Sequence, residues 1–290
     1  MSTNAGVAAD DAERVADKAA QPSGVASSQP HRGTAVPAAP VIATLAWREL
    51  ARFFRQRNRV IGAFVQPVLF WLLFSSALGV EGAAGYTRFF PGTLAMIILF
   101  TAIFATISII EDRNEGFLQG VLVAPIPRWA MVLGKVVGGA SIAMIQAGVF
   151  LVLGWVTLAD VAPTPLGAAA AVLLSACLAV ALTGLGFLIA WRMDSTQGFH
   201  AIMSVFLLPM WFLSTAFFPQ ESGGVVGAVV HANPLSFAVA GLRHNLQPGD
   251  AVAGLPPYAA CWAVTLAFAA MMLAACWWIA GTRSRGDFVS

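Results

Sequence analysis

Six times between residues 60 and 281 the chain runs for about 20 residues with scarcely a charge: 60–80, 89–110, 135–158, 165–191, 199–218 and 257–281. A hydrocarbon core of roughly 30 Å takes about 20 helical residues to cross. Inside it every backbone N–H and C=O must be satisfied within a helix or a closed barrel. Barrel strands alternate in polarity along their length; these runs do not, so they predict helices. Lys135 is the one Lys, Arg, Asp or Glu among them. It stands at the edge of its run, where a long side chain snorkels to the interface. Composition agrees: of 290 residues 58% are hydrophobic and 10% charged, against about 25% charged in a typical soluble domain. So few charges do not cover a water-facing surface. The fold class expected is all-α, a polytopic membrane protein with six transmembrane helices.

Basic residues set the orientation, because cytoplasmic loops carry the Lys/Arg excess. Arg48, Arg52, Arg55, Arg57 and Arg59 precede the first run, Arg113, Arg128 and Lys135 follow the second, Arg192 follows the fourth, and Arg283 and Arg285 follow the sixth. The alternate loops hold Arg88 and Arg243. Eleven against two places both termini in the cytoplasm of a multi-pass protein in the cell's inner (plasma) membrane. Residues 1–41, rich in Ala, Ser, Pro and Gly, are expected to form a disordered tail, since they bury too little apolar surface to offset chain entropy. They lack the basic start and apolar core of a secretory signal. Residues 284–290 form a cytoplasmic C-terminal tail.

Two polar segments break the pattern. In TLAWRELARFFRQRNRV, Trp47 and Phe53 join Leu45, Leu50 and Phe54 mostly on one helical face, and Arg48, Arg52 and Arg55 fill much of the other. That is the pattern of an N-terminal interfacial helix on an anionic leaflet; a plain basic flank is the alternative. In EDRNEGFLQGVLVAPIPRW, Glu111 and Glu115 share a helical face, and Phe117, Leu118, Val121 and Leu122 form an apolar one. Pro125 and Pro127 end the segment. A short amphipathic cytoplasmic helix is expected, with its glutamates at the favoured N-terminus. The bland reading is a solvated loop helix. Against it stands an apolar face with nowhere to go except the membrane or another protein.

Other constellations are weaker. Gln66, Ser75, Thr106 and Gln146 lie within the runs and are candidates for a translocation route, although polar residues at membrane depth mostly bond helix to helix. His231 and His244 have no third ligand at metal-binding spacing, so no metal site is expected. Three cysteines, Cys177, Cys261 and Cys276, sit in apolar runs without CxxC spacing. A net charge of +2 gives no reason to expect nucleic acid as a partner. No acidic or basic group stands mid-run, which argues against an ion-driven carrier and an intramembrane enzyme.

The polar segment resembles the cytoplasmic signature of type-2 ATP-binding-cassette (ABC) exporter permeases. Glu111, Arg113, Glu115-Gly116, Leu118, Val121 to Pro125, Arg128 and Leu133-Gly134-Lys135 carry the likeness. Gln66-Pro67 is similar to the family's opening helix. Phe218-Pro219, Asn233-Pro234 and Arg243 are similar to its external segment, where Ser222-Gly223-Gly224 replaces a Leu-Pro often found there. The resemblance covers about residues 42–283. It implies that 111–124 is a coupling helix docking into an ATPase, with Phe117, Leu118, Val121 and Leu122 buried at that contact, and that the helix near 44–58 is the connecting helix. No GxxxxGK[ST] phosphate loop occurs in the chain. The chain is therefore not expected to be an enzyme: ATP and Mg would sit on a separate nucleotide-binding subunit, with a second permease copy completing a homodimer in the lipid bilayer. The resemblance implies export of a hydrophobic drug-like or lipid-like substrate by alternating access. A lipid-linked or lipo-oligosaccharide glycan is the alternative, and a membrane scaffold or assembly factor is the reading from another class.

Overall fold

Pro37 opens a chain of helices in the computed structural model, which describes residues 37–77, 83–124, 126–158, 163–218, 223–247 and 254–282. The helices are α1 (Ala38–Arg55), α2 (Arg57–Ala77), α3 (Ala83–Ala105), α4 (Ile107–Asn114), α5 (Phe117–Val123), α6 (Arg128–Thr157), α7 (Pro165–Trp191), α8 (Thr196–Phe212), α9 (Gly224–Ala232), α10 (Pro234–Leu246) and α11 (Tyr258–Thr282). Among the described residues there is no strand. Helix α1 already begins at Ala38, inside the stretch assigned to the tail.

Among the described residues, four segments are long and apolar enough to cross a membrane: Tyr86–Asn114, Arg128–Thr157, Pro165–Trp191 and Tyr258–Gly281. The pair α9–α10, bent by 77°, makes a fifth if it is one span. Six had been expected. Helix α2, over the first run, is 21 residues long but is not among the four. The fifth run is cut short, because α8 stops at Phe212 after 17 residues, about 25 Å at 1.5 Å per residue. The cause is local. Ser214 donates from its hydroxyl to the Trp211 carbonyl (2.5 Å) and accepts from the Ala216 N–H (3.2 Å), while the Thr215 hydroxyl donates to the Ser236 carbonyl (2.6 Å). Side chains that bond the backbone in this way offer an alternative to the next helical turn.

Helix α3 is the centre of the bundle. Its apolar window is buried nearly all round by protein, whereas that of α11 is mostly open to the surroundings. Leu94, Ile97, Ile98, Leu99 and Ile103 are buried on α3 among α6, α7 and α10. Trp71, Phe90 and Phe150 close one end of this core, with the Phe90 and Phe150 rings stacked at 4.8 Å and Trp71 edge-on to Phe150 at 5.3 Å. Helix α1 packs more extensively on α6 than any other pair, and glycine permits it. A Cβ at Gly134 would stand 2.7 Å from the Cβ of Leu45, and one at Gly138 would stand 2.8 Å from the Cβ of Glu49. Small residues one turn apart let two helices approach this closely.

Candidate functional site

The contact between α1 and α6 brings the charges of three helices together. Leu45, Ala46, Glu49 and Phe53 form the buried stripe of α1. Trp47 (72% exposed) and Phe54 (47%) point outward, so the expected aromatic face is divided. Phe53 enters the protein and Trp47 faces the surroundings, because the 3.6-residue period selects 45, 49 and 53. That selection carries a carboxylate, Glu49, into the protein. Lys135 meets it at 2.5 Å and also contacts Asp112, whose side chain is fully buried. Arg48 grips Asp112 through two bonds, 2.9 and 2.7 Å, and Arg52 adds a third at 2.8 Å. Lys135 therefore does not snorkel. It turns inward because two buried carboxylates need a cation, and an unpaired buried charge is costly.

Arg52 also reaches Glu111 (3.1 Å) and Glu115 (3.0 Å), while the Arg48 guanidinium lies 3.7 Å from the centre of the Phe117 ring. Hydrogen bonding to Asp112 raises the pKa of Arg48 above its ordinary value. Three cations and four carboxylates thus join α1, α4 and the start of α6. Bidentate, charge-assisted bonds of this kind fix geometry as well as adding energy.

The acidic residues do not begin a helix as expected. Glu111 and Asp112 lie in the last turn of α4, and Gly116 interrupts the chain with φ 76° before α5 starts at Phe117. A left-handed residue of this kind is usual where one helix ends. Carboxylates near a helix C-terminus oppose the macrodipole, which Arg48, Arg52 and Lys135 offset. Arg113 serves a different end. It donates to the carbonyls of Trp191 (2.7 Å) and Met193 (3.1 Å) beyond α7 and pairs with Asp194 at 3.0 Å. Arg128 does likewise for α11, reaching the Ala280 carbonyl at 3.2 Å. Arg55 is exposed.

The apolar face of α5 is already occupied. Leu118 is buried in the protein's own core, and Phe117, Val121 and Leu122 pack against it. What α5 and its flanks expose is Asn114, Glu115 (side chain 59%), Gly116, Gln119, Gly120, Val123 (73%) and Trp129. A partner docking at α5 would meet this rim, because the helix's apolar side already covers the protein's own core.

The proposed route residues fare differently. Gln146 and Thr106 are buried within the bundle. Gln146 accepts a bond from the Thr101 hydroxyl, and Thr106 donates to the Ile103 carbonyl at 2.6 Å. Gln146 thus ties α6 to α3, whereas the Thr106 bond is local to the turn that ends α3. Pro125, Pro219 and the side chains of Gln66 and Ser75 lie outside the described residues.

At the opposite end, Asn233 stands at the bend between α9 and α10. Its amide donates to the carbonyls of Met210 (2.6 Å) and Leu213 (2.7 Å), and its oxygen accepts from the Leu235 N–H at 3.0 Å. Pro234 has no N–H to continue α9 and suits the first position of α10. Phe218, at the end of the turn after α8, is partly exposed. Arg243 donates to the carbonyls of Arg88 (3.3 Å) and Thr215 (3.5 Å).

Sequence reasoning missed Asp112 and Glu49. Glu49 left a signal: an acidic residue at position i+4 between Leu45 and Phe53 occupies a core position and demands a cation. Lys135, alone in its apolar run, was the matching one.

The sequence also matches known proteins. The ABC-2 type transporter family matches residues 40–246. The chain belongs to that family. The match takes in α1, the charged cluster, α5 and the Asn233 bend. The permease is 24% identical over 207 residues to the probable doxorubicin resistance ABC transporter permease protein DrrC of Mycobacterium tuberculosis (strain CDC 1551 / Oshkosh), spanning 68% of this chain and 73% of the relative. It is 28% identical over 134 residues to the probable multidrug ABC transporter permease YbhR of Escherichia coli (strain K12), spanning 46% of this chain and 36% of the relative. The permease is thus a membrane subunit of an ABC exporter, a class that works with an ABC ATPase subunit.

Proposed function

We propose that this permease carries a hydrophobic, drug-like or lipid-like substrate out of the cytoplasm by alternating access, as a homodimer driven by two copies of a separate ATPase. ATP and Mg would be held by that ATPase. The observation that carries the reading is the clamp of α1 on α4 and α6 through Asp112. It makes the exposed rim of α5 continuous with a rigid, charge-locked unit. A push on that rim moves α4 and α6 together, and α4 continues the central helix α3 after the turn at Thr106. The names of these relatives, doxorubicin resistance and multidrug, favour a hydrophobic drug. The interior supports the choice too, since none of the ionisable groups that ion carriers use stands mid-span.

In this reading the charged end faces the cytoplasm, following the basic-residue excess. The chain crosses six times, with α2 and α8 as the first and fifth spans and with α9–α10 entering and leaving on the outer side. The test is co-purification with the cognate ATPase. Gln119→Arg and Val123→Asp alter the exposed rim without touching the charged cluster or the core, and each should lower ATPase recovery at unchanged membrane yield. Val225→Asp, on an exposed site of α9, should leave recovery at the parental level. Parental recovery with both rim variants would refute docking at α5.

A further inference from the structure

Beside the charged end lies an apolar groove of about 410 Å³ between α7, α8 and α11, within the range of roughly 300–1,000 Å³ usual for small-molecule sites. Leu188 of α7, Ile202 of α8 and Ala275 and Ile279 of α11 form its walls. Arg192 and Trp278 stand at its rim. Arg192 is exposed, directly follows α7, and makes no side-chain hydrogen bond or ion pair among the described residues. The nearest carboxylate in sequence, Asp194, is taken by Arg113. Trp278 and its neighbour Trp277 are both largely exposed near the end of α11, as aromatic side chains are at headgroup level.

We propose that this groove holds one anionic glycerophospholipid of the leaflet at the charged end, with its phosphate on Arg192 and an acyl chain along the α7–α8–α11 wall. Charge complementarity selects the headgroup. A guanidinium with no carboxylate partner binds a phosphate oxygen well. Among the described residues the groove lining offers no acid to hold the ammonium of a zwitterionic lipid. In a bilayer an apolar groove of this depth fills with hydrocarbon, so the cation at its mouth determines which lipid stays.

The experiment is native mass spectrometry of the full-length permease, taken from nanodiscs of phosphatidylglycerol and phosphatidylcholine with identical acyl chains. The parent should retain phosphatidylglycerol several-fold over phosphatidylcholine. Arg192→Ala should bring the two to parity, and Ala275→Trp, which fills the groove, should lower retention of both. Val152→Trp, on an exposed site of α6, should change neither. The proposal fails if the parent shows no preference or if Arg192→Ala keeps it. It also fails if Ala275→Trp separates a dimer in the same spectra without altering lipid retention, because the groove would then be covered by a second copy.

Discussion

At one end of the bundle Asp112 gathers Arg48, Arg52 and Lys135 from two other helices. At the other, Asn233 ties the end of α8 to the start of α10 through neutral amide bonds. The first junction joins segments 23 to 64 residues apart by full charges, around an Asp112 side chain that is fully buried. The second joins near neighbours in sequence by bonds to backbone carbonyls, each of which has a modest replacement cost. The charged junction is stiff because its failure is expensive. The neutral one holds a bend that any single bond only helps to define. Under the alternating-access mechanism proposed above, one end transmits motion and the other is reshaped, and the two junctions suit those two tasks.

Breaking the charged junction should have the largest effect. Asp112→Ala leaves three cations around a buried site and is expected to cost about 3–5 kcal/mol. Folded, monodisperse protein in detergent should fall sharply, as read by size-exclusion chromatography of the membrane extract. Lys135→Met should be nearly as damaging alone, since it leaves Glu49 with only the longer 3.5 Å contact to Arg48. Adding Glu49→Met should recover part of the loss, because a buried pair replaced by apolar groups is often neutral. A double-mutant cycle on thermal midpoints measures the coupling.

Asn233→Ala should be milder, at about 1–3 kcal/mol for buried carbonyls left without a donor. Its effect should be local, with faster hydrogen exchange over residues 213–218 while the charged end is unchanged. Equal losses at both ends would erase the contrast between them. The smallest effect belongs to Arg128→Ala, which removes a donor from the end of α11. It should shift stability by about 0.3–1 kcal/mol, and the thermal midpoint by a few degrees at most.

Much of this was legible in the sequence, and the failures have physical causes. The apolar runs at 165–191 and 257–281 reappear almost residue for residue as α7 and α11, because length and hydropathy alone decide a helix in lipid. The run at 199–218 is equally apolar, yet Ser214 and Thr215 divert its backbone, a competition that hydropathy does not register. In residues 111–124, periodicity found the apolar face of α5 but not its destination, which depends on where the core ends. Gly116 looked like part of one helix and is the break between two. Asp112 was overlooked because its partners lie on helices whose docking only the fold reveals.

The central claim is that the rim of α5, braced by the Asp112 clamp, is where the ATPase sits. A photoreactive amino acid at Gln119 tests it directly, with a second at Val226 on α9, which is also exposed. In cells carrying the permease and its ATPase, irradiation should link position 119 to the ATPase and leave position 226 unlinked. Cross-linking at 226, or none at 119 while the complex still co-purifies, would contradict the account.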